Sequence, residues 1–251
     1  MAEYDAIGDR YSEAKQAPWR LYLEAYTLER LAGDLHDARV LDLACGDGFY
    51  ARRLKARGAA AVLGVDLSSE MIALARAAER AAPLGCEYVV GDAGALSAVG
   101  PFDLVVAAYL LNYAPDRATL DRMCAAAFAN LRPGGRLVGV NDYTTDRSLD
   151  RDLSEHRFHK RGPARAVEGE PITYEFLLPN DRTFSITNYY WRPETYLAAL
   201  RAAGFDDPAW HQFALSPDAP DAAFFDHFRT LAPCAAFSAI SPKADTTDEH
   251  G

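Results

Sequence analysis

The chain predicts an α/β fold: a doubly wound parallel sheet with helices on both faces. Three observations carry this. Between residues 39 and 142, short apolar runs alternate with stretches of helical periodicity. The first apolar run ends near an acid, Asp42, and passes straight into a tight Gly46-x-Gly48 turn. Acids also close the next two runs, at Asp66 and Asp92, and sheets of this kind collect ligands at the carboxyl ends of their strands.

Taken in order, residues 3–34 read as helical, with Tyr22, Tyr26, Leu28 and Leu31 recurring on one face. Arg39–Leu43 is the first strand, followed by a helix through Arg57 and a second strand at Ala61–Asp66. Ser68 caps the next helix, which carries Met71, Leu74 and Ala75 on one side. Glu87–Val90 and Phe102–Ala108 are the third and fourth strands. A helix over Thr119–Leu131 closes at Pro133-Gly134-Gly135, and Arg136–Asn141 is the fifth strand. Residues 143–170 are polar and irregular, too long for an ordinary connection, which predicts a lid. Residues 171–178 and 183–191 alternate around Pro179-Asn180-Asp181-Arg182 as a β-hairpin. A helix from Pro193 ends at Gly204, and a last strand is expected near Ala209–Leu215. The expected organisation is one domain over 1–237, with a helical lid at 1–34, a cofactor-binding core at 35–142 and a substrate cap at 143–192. Residues 238–251 lack periodicity and predict a disordered tail.

Composition narrows the function. The 251 residues carry a net charge of −10, which argues against nucleic-acid backbones as the partner. No apolar run approaches the ~20 residues that span a bilayer, and the acidic start lacks a signal peptide's character, so a cytoplasmic protein without membrane partners is expected. The four cysteines are scattered without a Cys-x-x-Cys pair, and no metal-ligand set is read. A small-molecule substrate remains.

The turn after the first strand is ambiguous alone, because Gly46-x-Gly48-x-x-Ala51 also satisfies a dinucleotide fingerprint. Asp42 discriminates. Against a pyrophosphate it repels; against the ammonium of a methionine moiety it attracts. Asp66 is spaced to accept from ribose hydroxyls, or else caps the next helix. Asp92 suits an adenine amino group, and Met71 is placed to pack on the adenine face. Ala44, Cys45 and Gly46 form the turn itself, while Leu67, Ala93 and Tyr109 flank the other strand ends.

Together with Leu131-Arg132-Pro133-Gly134-Gly135, this ensemble resembles the class I S-adenosylmethionine-dependent methyltransferases over roughly residues 35–142. The resemblance implies a seven-stranded Rossmann-like fold with a cap inserted after strand five, and S-adenosyl-L-methionine as cofactor. A narrower resemblance rests on Tyr4-Asp-Ala-Ile-Gly8 with Tyr11 and Lys15, on Gly48-Phe49-Tyr50, on Leu111-Asn112-Tyr113-Ala114-Pro115-Asp116 and on Asn188-Tyr-Tyr-Trp-Arg-Pro193. These look like the toxoflavin-type small-molecule methyltransferases. By that resemblance Tyr11 helps hold the methionine carboxylate; it reads equally as a core aromatic.

The acceptor should be set by the cap, since methyl transfer needs alignment and exclusion of water more than acid–base help. Residues 156–165 hold Arg157, Lys160, Arg161 and Arg165 without an acid, a basic run suited to phosphate oxygens or simply to solvent. Aromatic residues, Tyr174 among them, crowd the region beyond. A basic mouth before an aromatic chamber fits a prenyl diphosphate, with Mg²⁺ assisting, whose methylated alkene leaves a carbocation that ring faces stabilise and a base deprotonates. Glu170 is the candidate base, with Glu168 and Glu175 as neighbours. Glu170 and Trp210 also resemble the geranyl diphosphate C-methyltransferases, which implies that Trp210 limits chain length at the pocket floor. Phe224 and Phe225 are the nearest candidates for the cation-stabilising ring. The competing expectation is N-methylation of a planar heteroaromatic of the toxoflavin-precursor kind, in which Glu170 is dispensable. A nicotinamide-dependent oxidoreductase is the alternative of another class.

Overall fold

The computed structural model describes residues 8–143, 151–163 and 165–244. Its central sheet has seven strands: β1 (Arg39–Leu43), β2 (Ala61–Asp66), β3 (Cys86–Val90), β4 (Phe102–Ala108), β5 (Leu131–Asp142), β10 (Asp206–His211) and β11 (Cys234–Ile240), in the order β10-β11-β5-β4-β1-β2-β3. The five strands of the first half run parallel, whereas β11 pairs antiparallel with both β5 and β10. The sheet is therefore mixed at one edge rather than wholly parallel. Val40, Leu41 and Leu43 are all fully buried, as a strand covered on both faces requires.

Side chains cap some of the helices, one of them at the expected Ser68. Helix α4 (Ser69–Ala81) starts at Ser68, whose hydroxyl accepts from the Met71 amide at 3.2 Å. Helix α5 (Arg117–Ala129) starts two residues before the expected Thr119, because the Asp116 carboxylate accepts from the Thr119 amide at 2.7 Å. The remaining helices are α3 (Phe49–Ala56), α6 (Pro193–Ala202) and α7 (Ala222–Leu231). The N-terminal segment is helical in pieces: α1 (Gly8–Ala14), a π-helical turn at Arg20–Ala25, and α2 (Tyr26–Ala32).

Three expectations are corrected. The irregular lid contains β6 (Arg151–Leu153), a 3₁₀ turn at Ser154–His156 and β7 (Phe158–Arg161). These extend the hairpin of β8 (Pro171–Leu177) and β9 (Thr183–Tyr189) into a four-stranded antiparallel sheet, ordered β6-β7-β8-β9. The last strand of the chain is β11, so Ser238–Ile240 lie in the central sheet instead of a tail. Its sequence, Cys-Ala-Ala-Phe-Ser-Ala-Ile, has one β-branched residue, Ile240 at its very end, yet small residues suit its buried place between two others. Of the expected tail, 245–251 lie outside the described residues.

The small sheet packs its inner face on the N-terminal segment. Phe158 meets Trp19 at 5.8 Å between ring centroids, and Tyr11 sits edge-on to Phe176 and Phe184 at 6.4 and 6.3 Å. The N-terminal segment and the small sheet thus pack directly on each other. No helix among the described residues is long and apolar enough to cross a membrane.

Candidate active site

At the carboxyl ends of β1, β2 and β4 the structure holds a cavity of about 340 Å³. The turn after β1 forms one wall. Ala44, Gly46 and Gly48 have φ of +58°, +56° and +84°, a left-handed path that folds the chain back tightly into α3. A Cβ at Gly46 would point into open space, whereas one at Gly48 would collide with the Tyr88 ring. Glycine at 46 therefore keeps the cavity clear, and glycine at 48 permits the packing beneath it.

Asp66 holds this wall to the next strand. Its two oxygens accept from the amides of Gly46 at 2.8 Å and Ser68 at 2.9 Å. Each oxygen keeps a second lone pair toward the cavity, so the carboxylate can also take hydroxyl donors. Burial pushes its pKa up, against the pull of those two amides and the Lys15 ammonium. Met71 is fully buried and Leu67 is 63% exposed; both line the cavity as apolar walls. Asp92, itself turned about its Asx bond to the Gly94 amide at 2.8 Å, closes the far end with Ala93.

Of the residues expected at the cofactor, Tyr11, Ala44, Gly46, Asp66, Leu67, Met71, Asp92, Ala93 and Tyr109 all line this one cavity. Asp42 and Cys45 do not. Both lie under the turn, Asp42 1% exposed and Cys45 3% exposed. Burial raises the Asp42 carboxyl to about 7, partly offset by the Lys15 ammonium and the Ala51 amide, and helped by Asp66 and Asp47. It acts on the cavity through charge and not as part of its wall.

Sequence reasoning gave no role to Lys15, Tyr113, Arg122 or Met123, which also line the cavity. Lys15 is 4% exposed, with its ammonium 5.1 Å from the Tyr11 and Tyr50 ring centroids and 5.4 Å from that of Phe49. A lysine in the turn after a short helix normally signals solvent; only the aromatic residues at 11, 49 and 50, which close around it in space, reveal otherwise.

Tyr109 ends β4 with φ +60° and hangs its ring over the cavity. Its hydroxyl donates to Glu24, a fully buried acid in the π-helical turn. Glu24 also accepts from Tyr50 and, at 3.1 Å, from the buried Arg20 guanidinium. Arg20 in turn lies over the rings of Trp19, Tyr109 and Phe176, at 4.6, 5.2 and 5.5 Å. This buried polar cluster, in which the Arg20 Nε lacks a hydrogen-bond partner, fixes the Tyr109 ring that lines the cavity.

Two motifs far apart in sequence also meet. Asn112 donates to the Asn188 side chain, and the Trp191 indole donates to the Ala114 carbonyl at 2.9 Å. The Leu111–Asp116 loop is thereby tied to the end of the cap hairpin. Tyr4–Ile7 lie outside the described residues.

The residues expected to hold the acceptor are distributed differently. None of Arg157, Lys160, Arg161, Tyr174, Trp210, Phe224, Phe225 or Glu170 lines the cavity. Strand alternation splits the basic run: Lys160 points inward and is fully buried, Arg161 outward. The Lys160 ammonium is paired with Asp142, which also accepts from the Tyr174 hydroxyl at 2.6 Å. Arg161 pairs with Glu175 at 3.0 Å, and Arg157 is exposed on a left-handed turn. Glu170 is half-buried in a turn where its carboxylate accepts from the Val167 amide at 2.7 Å. Glu168, its neighbour, accepts from the Arg192 amide at 3.0 Å. Trp210 donates to the Pro193 carbonyl at 3.0 Å and packs on Tyr143, Tyr196 and Phe237. Phe225 is core, beside Tyr22, while Phe224 is 37% exposed.

A cavity with one buried cation, two acids and apolar walls suits a zwitterionic nucleoside. Comparison with known proteins agrees. Residues 40–135 match the family model described as a methyltransferase domain. The chain is 30% identical over 171 residues to N-demethylindolmycin N-methyltransferase of Streptomyces griseus, covering 67% of this chain and 69% of that one. It is 32% identical over 147 residues to the ubiquinone biosynthesis O-methyltransferase of Sodalis glossinidius, covering 55% of this chain and 56% of that one, so it spans about half that relative's length. Among solved structures, an S-adenosylmethionine-dependent methyltransferase from Mesorhizobium loti superposes with a TM-score of 0.61 at 22% identity, covering 90% of this chain and 99% of that chain. The dinucleotide reading of the glycine turn is set aside by these matches. The chain belongs to the class I S-adenosylmethionine-dependent methyltransferases.

Proposed function

We propose that the cavity binds S-adenosylmethionine, that the methyl acceptor is a small molecule, and that it is a planar, mainly uncharged heteroaromatic methylated on nitrogen. Lys15 with Tyr11 holds the methionine carboxylate; Asp66 accepts from the ribose hydroxyls; Met71 and Leu67 pack against adenine while Asp92 accepts from its amino group. When bound, the cofactor supplies an electrophilic sulfonium methyl. The protein's task is to align a nucleophile with that methyl and exclude water, which requires no general base.

The acceptor assignment rests on one observation: no cation of the 156–165 run lines the cavity, and two of them are held by internal partners. Lys160 is neutralised by Asp142 inside the cap, Arg161 by Glu175 outside it, and the Glu170 carboxylate caps a turn. Tyr11, Tyr109 and Tyr113 wall the cavity on the side of the lid and strand-four loop, where a flat ring can stack. The name of the Streptomyces relative, an N-methyltransferase, adds support. Prenyl diphosphate C-methylation is the second reading, and a Mg²⁺ requirement would go with it.

Incubation with methyl-labelled cofactor and a panel of a pyrimidotriazine, geranyl diphosphate and farnesyl diphosphate tests the assignment. Label on a ring nitrogen is expected. Label carried into a prenyl diphosphate would overturn it. Thermal stabilisation by S-adenosylhomocysteine but not by NADH checks the cofactor separately.

A further inference from the structure

Away from the cavity, three side chains with metal-ligating atoms converge. Glu155 and His156 stand on the 3₁₀ turn between β6 and β7, and His227 reaches them from α7. One ligating atom from each lies within 4.8 Å of the others. His156 Nε2 is 3.4 Å from Glu155 Oε1, and His227 Nδ1 hydrogen-bonds that same oxygen. His156 is 2% exposed, yet neither of its ring nitrogens makes a hydrogen bond. Phe224 and Phe228 pack edge-on against its ring, at 4.6 and 5.3 Å between centroids. A buried imidazole without a hydrogen bond is costly and calls for an explanation.

We propose that Glu155, His156 and His227 form a site for a divalent transition metal of the zinc class, which clips the cap sheet to α7. Two imidazoles and a carboxylate are the donor set such an ion favours. With metal–ligand bonds of ~2.0–2.1 Å, neighbouring ligand atoms of a tetrahedron lie about 3.3–3.4 Å apart, which is the His156–Glu155 separation. His227 and Glu155 are each about half exposed, so their side chains can open to admit the ion, which replaces their mutual hydrogen bond. Solvent reaches the same side and supplies water at the fourth position. The sequence has no ligand spacing for this site, because His227 joins from 72 positions beyond Glu155.

The ion would fix Phe228, which stacks on Trp19 at 4.8 Å between centroids. Trp19 precedes Arg20, and so the clip braces the segment that carries the lid's polar cluster. The site shares no residue with the cofactor cavity, and it stands or falls independently of the acceptor assignment.

The test uses the full chain without an affinity tag, stripped with EDTA and desalted, then titrated with Zn²⁺ against a chromophoric chelator and with Co²⁺ as an optical probe. One equivalent of Zn²⁺ should bind at micromolar affinity or better, Co²⁺ should give the visible bands of a four-coordinate site, and Zn²⁺ should raise Tm. His227→Ala should weaken Zn²⁺ binding at least thirtyfold and abolish the Tm rise, while His36→Ala, at an exposed histidine elsewhere, should change neither. His156→Ala removes a buried ring and can fail to fold, whereas His227→Ala and Glu155→Gln act at half-exposed positions. Retained binding of S-adenosylhomocysteine by these two shows that they are folded. Absence of stoichiometric uptake, or uptake unchanged in His227→Ala, would overturn the site.

Discussion

The cofactor half and the cap half both bury charge, but they use it in opposite ways. Under the cavity, Asp42 has neither oxygen in a well-formed hydrogen bond, Asp66 keeps free lone pairs, and Lys15 is held among ring faces. In the cap, Lys160 and Tyr174 share one oxygen of the buried Asp142, whose other oxygen has no hydrogen-bond partner, while Arg161 pairs with Glu175 and Arg192 with Glu168 nearer the surface. Polar groups that line or underlie a void, as Lys15 and Asp66 do, mark a place for a ligand; ion pairs away from any void, as Lys160 with Asp142, mark architecture.

The largest effect expected from this contrast is on stability in the cap. Lys160→Met strands a buried Asp142 carboxylate and should cost about 3–5 kcal/mol in urea denaturation. A variant that unfolded normally but lost turnover would instead return Lys160 to the substrate site. Next is the cofactor half. Asp66→Asn should raise the Kd for S-adenosylhomocysteine by about ten- to a hundredfold by calorimetry, the worth of a charge-assisted hydrogen bond, and also lower Tm, since an NH2 group would face one of the two backbone donors that Asp66 now accepts. An unchanged Kd would mean that the cavity serves another ligand.

A pH series sharpens the comparison further. The folded-state Asp42 carboxyl, at about 7, lies above its ordinary 3.8. Its ionised form is disfavoured by folding, so this group's contribution to stability is greatest below 3.8 and declines as pH rises through 7. A ligand ammonium relieves that strain. Affinity for S-adenosylhomocysteine should therefore increase about tenfold from pH 6 to pH 8, and Asp42→Asn should flatten the profile. The smallest effects belong to the cap surface. Arg161→Glu and Glu170→Gln should each alter stability by less than about 1 kcal/mol and KM by no more than about twofold. A large rise in KM in either would revive the diphosphate acceptor.

Legibility in the sequence followed the same division. The strand ends at 42, 66 and 92, the Ser68 cap and the glycine turn were readable because each depends on neighbours within a few residues. So was the outward placement of Glu175 opposite Tyr174 and Phe176, since strand alternation is local. Residues 156–165 misled for a related reason: read as composition they form a basic patch, but alternation in β7 sends Lys160 to the core and Arg161 to solvent. β11 escaped notice because its small residues earn their place from β5 and β10, which are distant in sequence.

Alternation, caps and glycine conformation, all local properties, determined the α/β class and the strand-end residues of the cavity wall from the sequence by itself, whereas Tyr11 came only with a family resemblance. Which charges meet was decided only in three dimensions. Asp142 finds Lys160 and Tyr174, Glu24 finds Tyr50 and Tyr109, and Lys15 settles among three rings, because burial makes each polar group seek whatever partner the fold brings within reach. That pairing depends on packing between segments tens of residues apart, and no local pattern encodes it.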